Sequence, residues 1–220
     1  SIYFPGRVIP MLPERLSNNL CSLIPDQDRL AFTAILDFDR QGVLQNKEFC
    51  KSIIRSHKRF TYTTVQKLIV DKDPEIRRQH KPFLTPLKWA KELAEQLLQR
   101  RIDRGSIGFN IPEPDIRLEE DGKIKSIERT NRLFSHQLIE EFMLAANEAV
   151  AATFTEQAIP SLYRIHEEPA PEKVEEFLTF AKTLDLKLPK SEISPAWFAE
   201  ILTTIKGSPK EYIFNNLLLR

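Results

Sequence analysis

Two hydrophobic periods alternate along this chain. From Arg29 to Phe38 the run RLAFTAILDF alternates apolar and polar positions and is rich in β-formers. Arg40-Gln41-Gly42 is a turn, and Val43 to Arg55 reads as the returning strand. Asp115 to Arg129 repeats the device, turning at Asp121-Gly122. Elsewhere the period is helical. Tyr62 to Val70 reads as a helix with Thr61 as its N-cap. Thr85 is placed to cap a long helix with Pro86 at its first position, and Gly105 stops it; Leu87, Ala90, Ala94, Leu97 and Leu98 form its apolar stripe. The strongest helix runs from Arg132 to Gln157, with Leu138, Phe142, Met143, Ala146 and Val150 on one face. Three shorter helices follow. Pro171 starts the first, with Val174, Phe177, Leu178 and Ala181 inward. Ser194-Pro195 starts the second and Ser208-Pro209 the third, where Glu211 completes a capping box. At the start of the chain, Pro5, Pro10 and Pro13 exclude a continuous helix, and a short one is predicted from Pro13 to Cys21. Ile107 to Ile111 is a short strand candidate, and Leu162 to His166 a brief extended segment. The pattern predicts an α+β fold, helix-rich, with β structure in antiparallel hairpins rather than βαβ units. No internal repeat and no long linker divides it.

Composition narrows the function classes. The chain has 220 residues, 32 Lys+Arg against 31 Asp+Glu and a net charge of +1. That balance argues against coating nucleic acid by bulk electrostatics and leaves room for a local groove. Hydrophobic content of 41% with 29% charged residues excludes a disordered chain. The longest apolar stretch, Phe142 to Phe154, is broken by Asn147 and Glu148, so no membrane span is predicted. None of the 6 glycines stands in a phosphate-loop or dinucleotide-binding pattern. Cys21 and Cys50 lack a second Cys or His at ligand spacing and read as two buried thiols in a reducing cytoplasm. No signal peptide or initiator Met is present, and the chain ends directly after an apolar run, Leu217 to Leu219. We therefore expect an internal piece of a longer protein.

Four groups of residues are candidates for chemistry. Asp37-Phe38-Asp39 pairs two carboxylates on a strand, a pattern that suits a divalent metal; with no third acidic ligand near, it reads instead as a strand end beside a turn. His136 and Glu140 share a helix face just before its most apolar part, either as a surface pair or as a contact to metal or a polar substrate. Lys51, Arg55, His57, Lys58 and Arg59, followed by Phe60 and Tyr62, suit single-stranded nucleic acid, because cations track phosphates while rings stack on bases; the alternative is a solvated face. Tyr3 and Phe109 lie in short segments beside Pro or Gly, as ligand contacts or as core plugs. No Ser or Cys nucleophile motif occurs.

Five stretches carry a resemblance. YFPGRVIPMLPERLSNNLCSL (3–23), SHKRFTYTTV (56–65), RGSIGF (104–109), HQLIEEFMLAAN (136–147) and LYRIHEEP (162–169) occur in the order and spacing of a known family. Over essentially its whole length the chain resembles the central part of the RNB catalytic domain of the ribonuclease II/ribonuclease R exoribonucleases. RGSIGF and RIHEEP are nearer the ribonuclease R branch. The resemblance implies that residues 1–220 are an internal segment of one RNB domain. It implies a hydrolytic, processive 3′→5′ exoribonuclease that degrades single-stranded RNA to nucleoside 5′-monophosphates. Magnesium would assist, with its aspartate ligands outside this chain, so no metal ligand is assigned here. By position, Tyr3 and Phe109 match the rings that clamp the terminal nucleotide, Tyr62 an aromatic further along the RNA path, and Glu140 a glutamate near the terminal ribose. The expected protein is monomeric and cytoplasmic, with no membrane partner. The alternative is a non-catalytic RNA-binding or regulatory protein built on the same domain.

Overall fold

The computed structural model describes residues 1–108, 113–130, 132–165 and 168–218. They form α+β structure, helix-rich, with every sheet a two-stranded antiparallel hairpin. The chain divides into two compact units, Ser1–Leu97 with Pro112–Val150, and Leu98–Ile111 with Ala151–Arg220.

The first unit opens with β1 (Ile2–Phe4) and β2 (Arg7–Ile9), with Tyr3 opposite Val8. Gly6 makes the turn at φ +70°, a left-handed conformation that costs a residue with a Cβ. The short helix near Pro13 is present as a π-helical turn, Leu16–Leu20. The long hairpin follows as predicted: β3 (Asp28–Phe38) pairs with β4 (Leu44–Arg55) from Asp28↔Arg55 to Asp37↔Asn46, with a bulge before Phe38↔Leu44. The second hairpin joins β5 (Glu113–Leu118) to β6 (Ile124–Thr130).

Helix α1 (Tyr62–Ile69) starts where predicted, because the Thr61 side chain accepts the Thr64 N–H. The pattern did not anticipate α2 (Pro74–Gln79), although Asp73-Pro74 is a cap followed by Pro at the first position. The Asp73 carboxylate accepts the Glu75 and Ile76 N–H groups, both at 3.0 Å. The long helix α3 (Leu84–Asp103) does not begin at a Thr85 cap. A 3₁₀ turn, Lys81–Phe83, feeds directly into it, and Pro86 falls within the first turn, where its missing N–H has no intrahelical partner to lose.

Helix α4 (Phe134–Glu156) buries a face that overlaps the predicted one but is rotated from it. Leu138 is buried as expected, but Ser135, Glu141 and Ala149 join it while Met143 is exposed. The buried positions step by three, three and eight residues, one continuous stripe, which the composition of the run disguised. Leu68, Ile69, Ala94 and Leu138 form this unit's core, with Phe60, Val65, Leu87 and Phe142 packed against it. Cys50 is half-buried, but Cys21 is exposed rather than buried, because it closes the π-helical turn at the surface.

The second unit holds α5 (Pro171–Thr183), α6 (Pro195–Ile205) and α7 (Glu211–Leu218). Ser194 caps α6 by accepting the Trp197 N–H. Helix α7 begins two residues later than Ser208-Pro209 suggests, and Glu211 accepts the Gly207 N–H at 2.7 Å rather than closing a box on Ser208. Phe177, Ala181, Trp197, Ile201, Leu202, Ile205 and Phe214 make one aromatic-rich core, against which Ile107 packs. The strand candidate Ile107–Ile111 falls mostly outside the described residues, as does His166 of the 162–166 segment; Ile107 and Gly108, and residues 161–165, have no regular secondary structure.

Candidate nucleic-acid interface

Two helix starts build the site in the first unit. The extended backbone of Thr61 and its cap make Tyr62 the first residue of α1, where its side chain is 46% exposed. On α4, His136 sits in the first turn and its Nδ1 accepts the Leu133 N–H at 3.1 Å. That bond needs a lone pair on Nδ1 and leaves Nε2 as the ring's donor. The rings of Tyr62 and His136 lie 4.1 Å apart at an interplanar angle of 34°, a tilted stack. One turn beyond Tyr62, the Gln66 Oε1 accepts the Ser135 N–H at 3.4 Å. The start of α4 is thus tied to α1 by one ring contact and one hydrogen bond.

Glu140 stands one turn after His136 and pairs with Arg132, with side-chain exposures of 34% and 54%. Arg132, His136, Glu140 and Tyr62 therefore form a contiguous, partly exposed group: an aromatic ring, an imidazole, a carboxylate and a guanidinium. Such a set offers a stacking face and charged hydrogen-bonding groups side by side, the two needs of single-stranded nucleic acid.

The remaining candidates separate. Phe60, two residues before Tyr62, turns into the core and meets His80 and Phe83 edge-on at 5.3 and 5.2 Å, so it is a packing residue. Arg55, at the end of β4, donates to Asp28 at 2.7 Å. This hydrogen bond holds the Asp28 carboxyl below its ordinary value and raises the guanidinium's. Lys51 faces Phe32 across the ladder. Tyr3 stands on the β1–β2 hairpin, 77% exposed. Phe109 lies outside the described residues. The described contacts thus join Tyr62 to His136 and Glu140 to Arg132, with His136 and Glu140 one turn apart on α4, and they do not include Tyr3. Arg132 and Gln66 escaped the sequence reading. Their only signals are spacing: Gln66 falls one helical turn after Tyr62, and Arg132 just precedes a helix that carries Glu140.

The acidic sets are committed elsewhere. Asp39 accepts the Gln41 and Val43 N–H groups at 2.9 Å and the Gln45 side-chain amide at 2.8 Å, so it builds the hairpin turn; Asp37 accepts from Asn46. The Asp121 carboxyl is held below its ordinary value by hydrogen bonds from the Lys123 side chain and backbone. Among the described residues no group of three or more His, Cys, Asp or Glu could hold a metal ion. No helix among the described residues is long and apolar enough to cross a membrane.

The chain is 39% identical over 219 residues to ribonuclease R of Aquifex aeolicus, covering 99% of this chain and 31% of that protein. It is 38% identical over 222 residues to ribonuclease R of Escherichia coli, covering 100% of this chain and 27% of that one. Among solved structures, Mycoplasma genitalium RNase R in complex with ribose methylated single-stranded RNA superposes with a TM-score of 0.91 at 32% identity. That match covers 100% of this chain and 34% of that one. The chain thus spans about a third of the length of the relatives it matches. The model of the RNB domain matches residues 1–220, and the chain belongs to the RNB domain family.

Proposed function

We propose that the whole protein is a 3′→5′ exoribonuclease of the ribonuclease R type that hydrolyses single-stranded RNA to nucleoside 5′-monophosphates. The observation that carries this reading is the match of the RNB domain over all 220 residues, supported by the likeness to an RNase R solved with single-stranded RNA. In this reading the chain supplies walls of the RNA path. Tyr62 is a stacking ring beside His136, and Glu140, oriented by Arg132, is a hydrogen-bond acceptor for a ribose hydroxyl, the group that distinguishes RNA from DNA. Tyr3 and Phe109 are proposed as the rings against the terminal nucleotide. Stacking suits an enzyme that must accept any sequence, because every base has a π-face.

Magnesium is proposed as the cofactor of the whole protein, with ligands beyond this chain, and the protein is proposed to act as a cytoplasmic monomer. The direct test is to incubate the full-length protein with uniformly labelled poly(A) and magnesium and to resolve the products. Release of 5′-mononucleotides supports the enzyme. RNA binding without release would instead favour a non-catalytic RNA-binding protein. The isolated 220-residue chain is expected to release none, since clustered oxygen ligands for a hard cation are lacking among its described residues.

A further inference from the structure

His136 stands between the start of α4 and the Tyr62 ring. Its Nδ1 is occupied by the Leu133 N–H, and this fixes both the tautomer and the ring orientation. The ring so fixed lies 4.1 Å from that of Tyr62. Tyr62 itself is half-exposed at a helix start. A tyrosine there can rotate about χ1 and χ2, and an exposed ring that must stack on a base loses that freedom on binding unless something already restrains it. The opposite anchor is also in place, since Gln66 accepts the Ser135 N–H and holds the first turn of α4 against α1.

We propose that His136 is a positioning residue for Tyr62: its locked imidazole backs one side of the tyrosine ring, so that the ring is pre-oriented to stack on an RNA base. The inference rests on the reading of Tyr62 as an RNA-stacking residue. It adds the cause of the ring's orientation and assigns it to one side chain. The device is sequence-neutral, as an enzyme that accepts any base requires. The ring of His136, more than its hydrogen bond, does the positioning, and it acts only through Tyr62.

The test uses the full-length protein in chelator, so that binding is separated from hydrolysis. Single-stranded RNA carrying 2-aminopurine at successive positions from the 3′ end serves as the probe, since its fluorescence is quenched by stacking. Tyr62→Ala should abolish quenching at one position and weaken binding by about 5- to 150-fold, the span set by stacking per base. His136→Ala should reduce quenching at that same position and weaken binding by about 2- to 12-fold, the span of one aromatic pair. His136→Phe, which keeps a ring, should restore both to within about twofold, the low end of what one lost neutral hydrogen bond costs. His136→Asn keeps an acceptor for Leu133 without a ring and should behave like the alanine variant. In a Tyr62→Ala background, His136→Ala should add nothing.

If Tyr62→Ala changes neither quenching nor affinity, the reading of Tyr62 as a stacking residue falls, and this inference with it. If Tyr62→Ala has its effect but His136→Asn behaves as wild type, or His136→Ala adds its full effect to Tyr62→Ala, the positioning role is overturned while the reading of Tyr62 stands. Should His136→Ala fold poorly, the contrast between the Phe and Asn variants decides the matter alone.

Discussion

The helices of the second unit and the long hairpin of the first bury their apolar residues in opposite ways. In α5–α7, Phe177, Trp197 and Phe214 meet edge-on at 5.8 to 6.1 Å, and the Trp197 indole N–H donates to the Pro189 carbonyl, so the core closes on itself. In β3–β4, Leu30 and Phe32 stand 82% and 70% exposed, and Ile53, directly opposite Leu30, is 70% exposed. The hairpin has a complete hydrogen-bonded ladder but presents an open apolar face. A two-stranded sheet alone is marginal in water. The contrast teaches that regular backbone pairing and a closed core are separate achievements, and that of these two regions only α5–α7 has both within itself.

The comparison is broken most directly at its closed end. Phe214→Ala removes a ring that is fully buried against Phe177 and Phe180. It should cost the local opening of α5–α7 about 3–5 kcal/mol, read by native-state hydrogen exchange in the full-length protein. A loss under about 1 kcal/mol would mean that the aromatic core is not what holds these helices.

Gly105 is the next position. It stops α3 at φ +89°, and a Cβ there would lie 2.8 Å from the backbone N of Ala196 and 3.2 Å from its Cα. Backbone cannot yield as a side chain end does. Gly105→Ala should therefore destabilise the second unit by about 1–3 kcal/mol from the left-handed conformation alone, before the clash is counted. Exchange protection at the start of α6 is the measurement, and unchanged protection there would contradict the contact.

At the open end the effects should be small. Leu30→Ser should change the exchange stability of the β3–β4 ladder by no more than about 0.5 kcal/mol in a setting where that face meets only solvent. A cost of several kcal/mol in the full-length protein would show the face to be covered there, and the contrast drawn above would hold only for this chain.

The smallest effect belongs to the Asp28–Arg55 pair at the ladder's end. Both side chains are exposed, so the pair contributes little at neutral pH. Its sign is nevertheless determined. The Asp28 carboxyl is lowered by the hydrogen bond from Arg55, so the contribution is present above the ordinary carboxylate range and is lost as pH falls through the lowered value. Asp28→Asn should make protection of the ladder end less dependent on acid pH. Equal acid sensitivity in wild type and variant would dissociate the pair from the ladder.

Local chemistry made much of the fold legible. The long hairpin, the 115–129 hairpin, α1 with its Thr61 cap and α6 with its Ser194 cap were readable because alternation, turn residues and caps act within a few residues. The failures were also local in kind. The start of α3 moved because a 3₁₀ turn competes with a cap, and α2 was passed over although Asp73-Pro74 announced it. The buried face of α4 was misjudged because Glu141, a charged residue, lies inward and Met143, an apolar one, outward. Which side of a helix is buried depends on the neighbour it meets, and that neighbour is α1 and α3.

The same division holds for the site. The sequence by itself determined the hairpins, the capped helices and, through five ordered motifs, membership of the RNB domain family, because each of these rests on residues near one another in the chain. It also named Tyr62 and Glu140 as candidates. That Phe60 turns into the core while Tyr62 stays at the surface, that His136 lies against Tyr62, and that Arg132 holds Glu140 were decided only by the tertiary structure. The physical reason is that these contacts join residues from separate helices or depend on which face a helix presents. Both are settled when α1 and α4 pack and the apolar stripe of each chooses its partner.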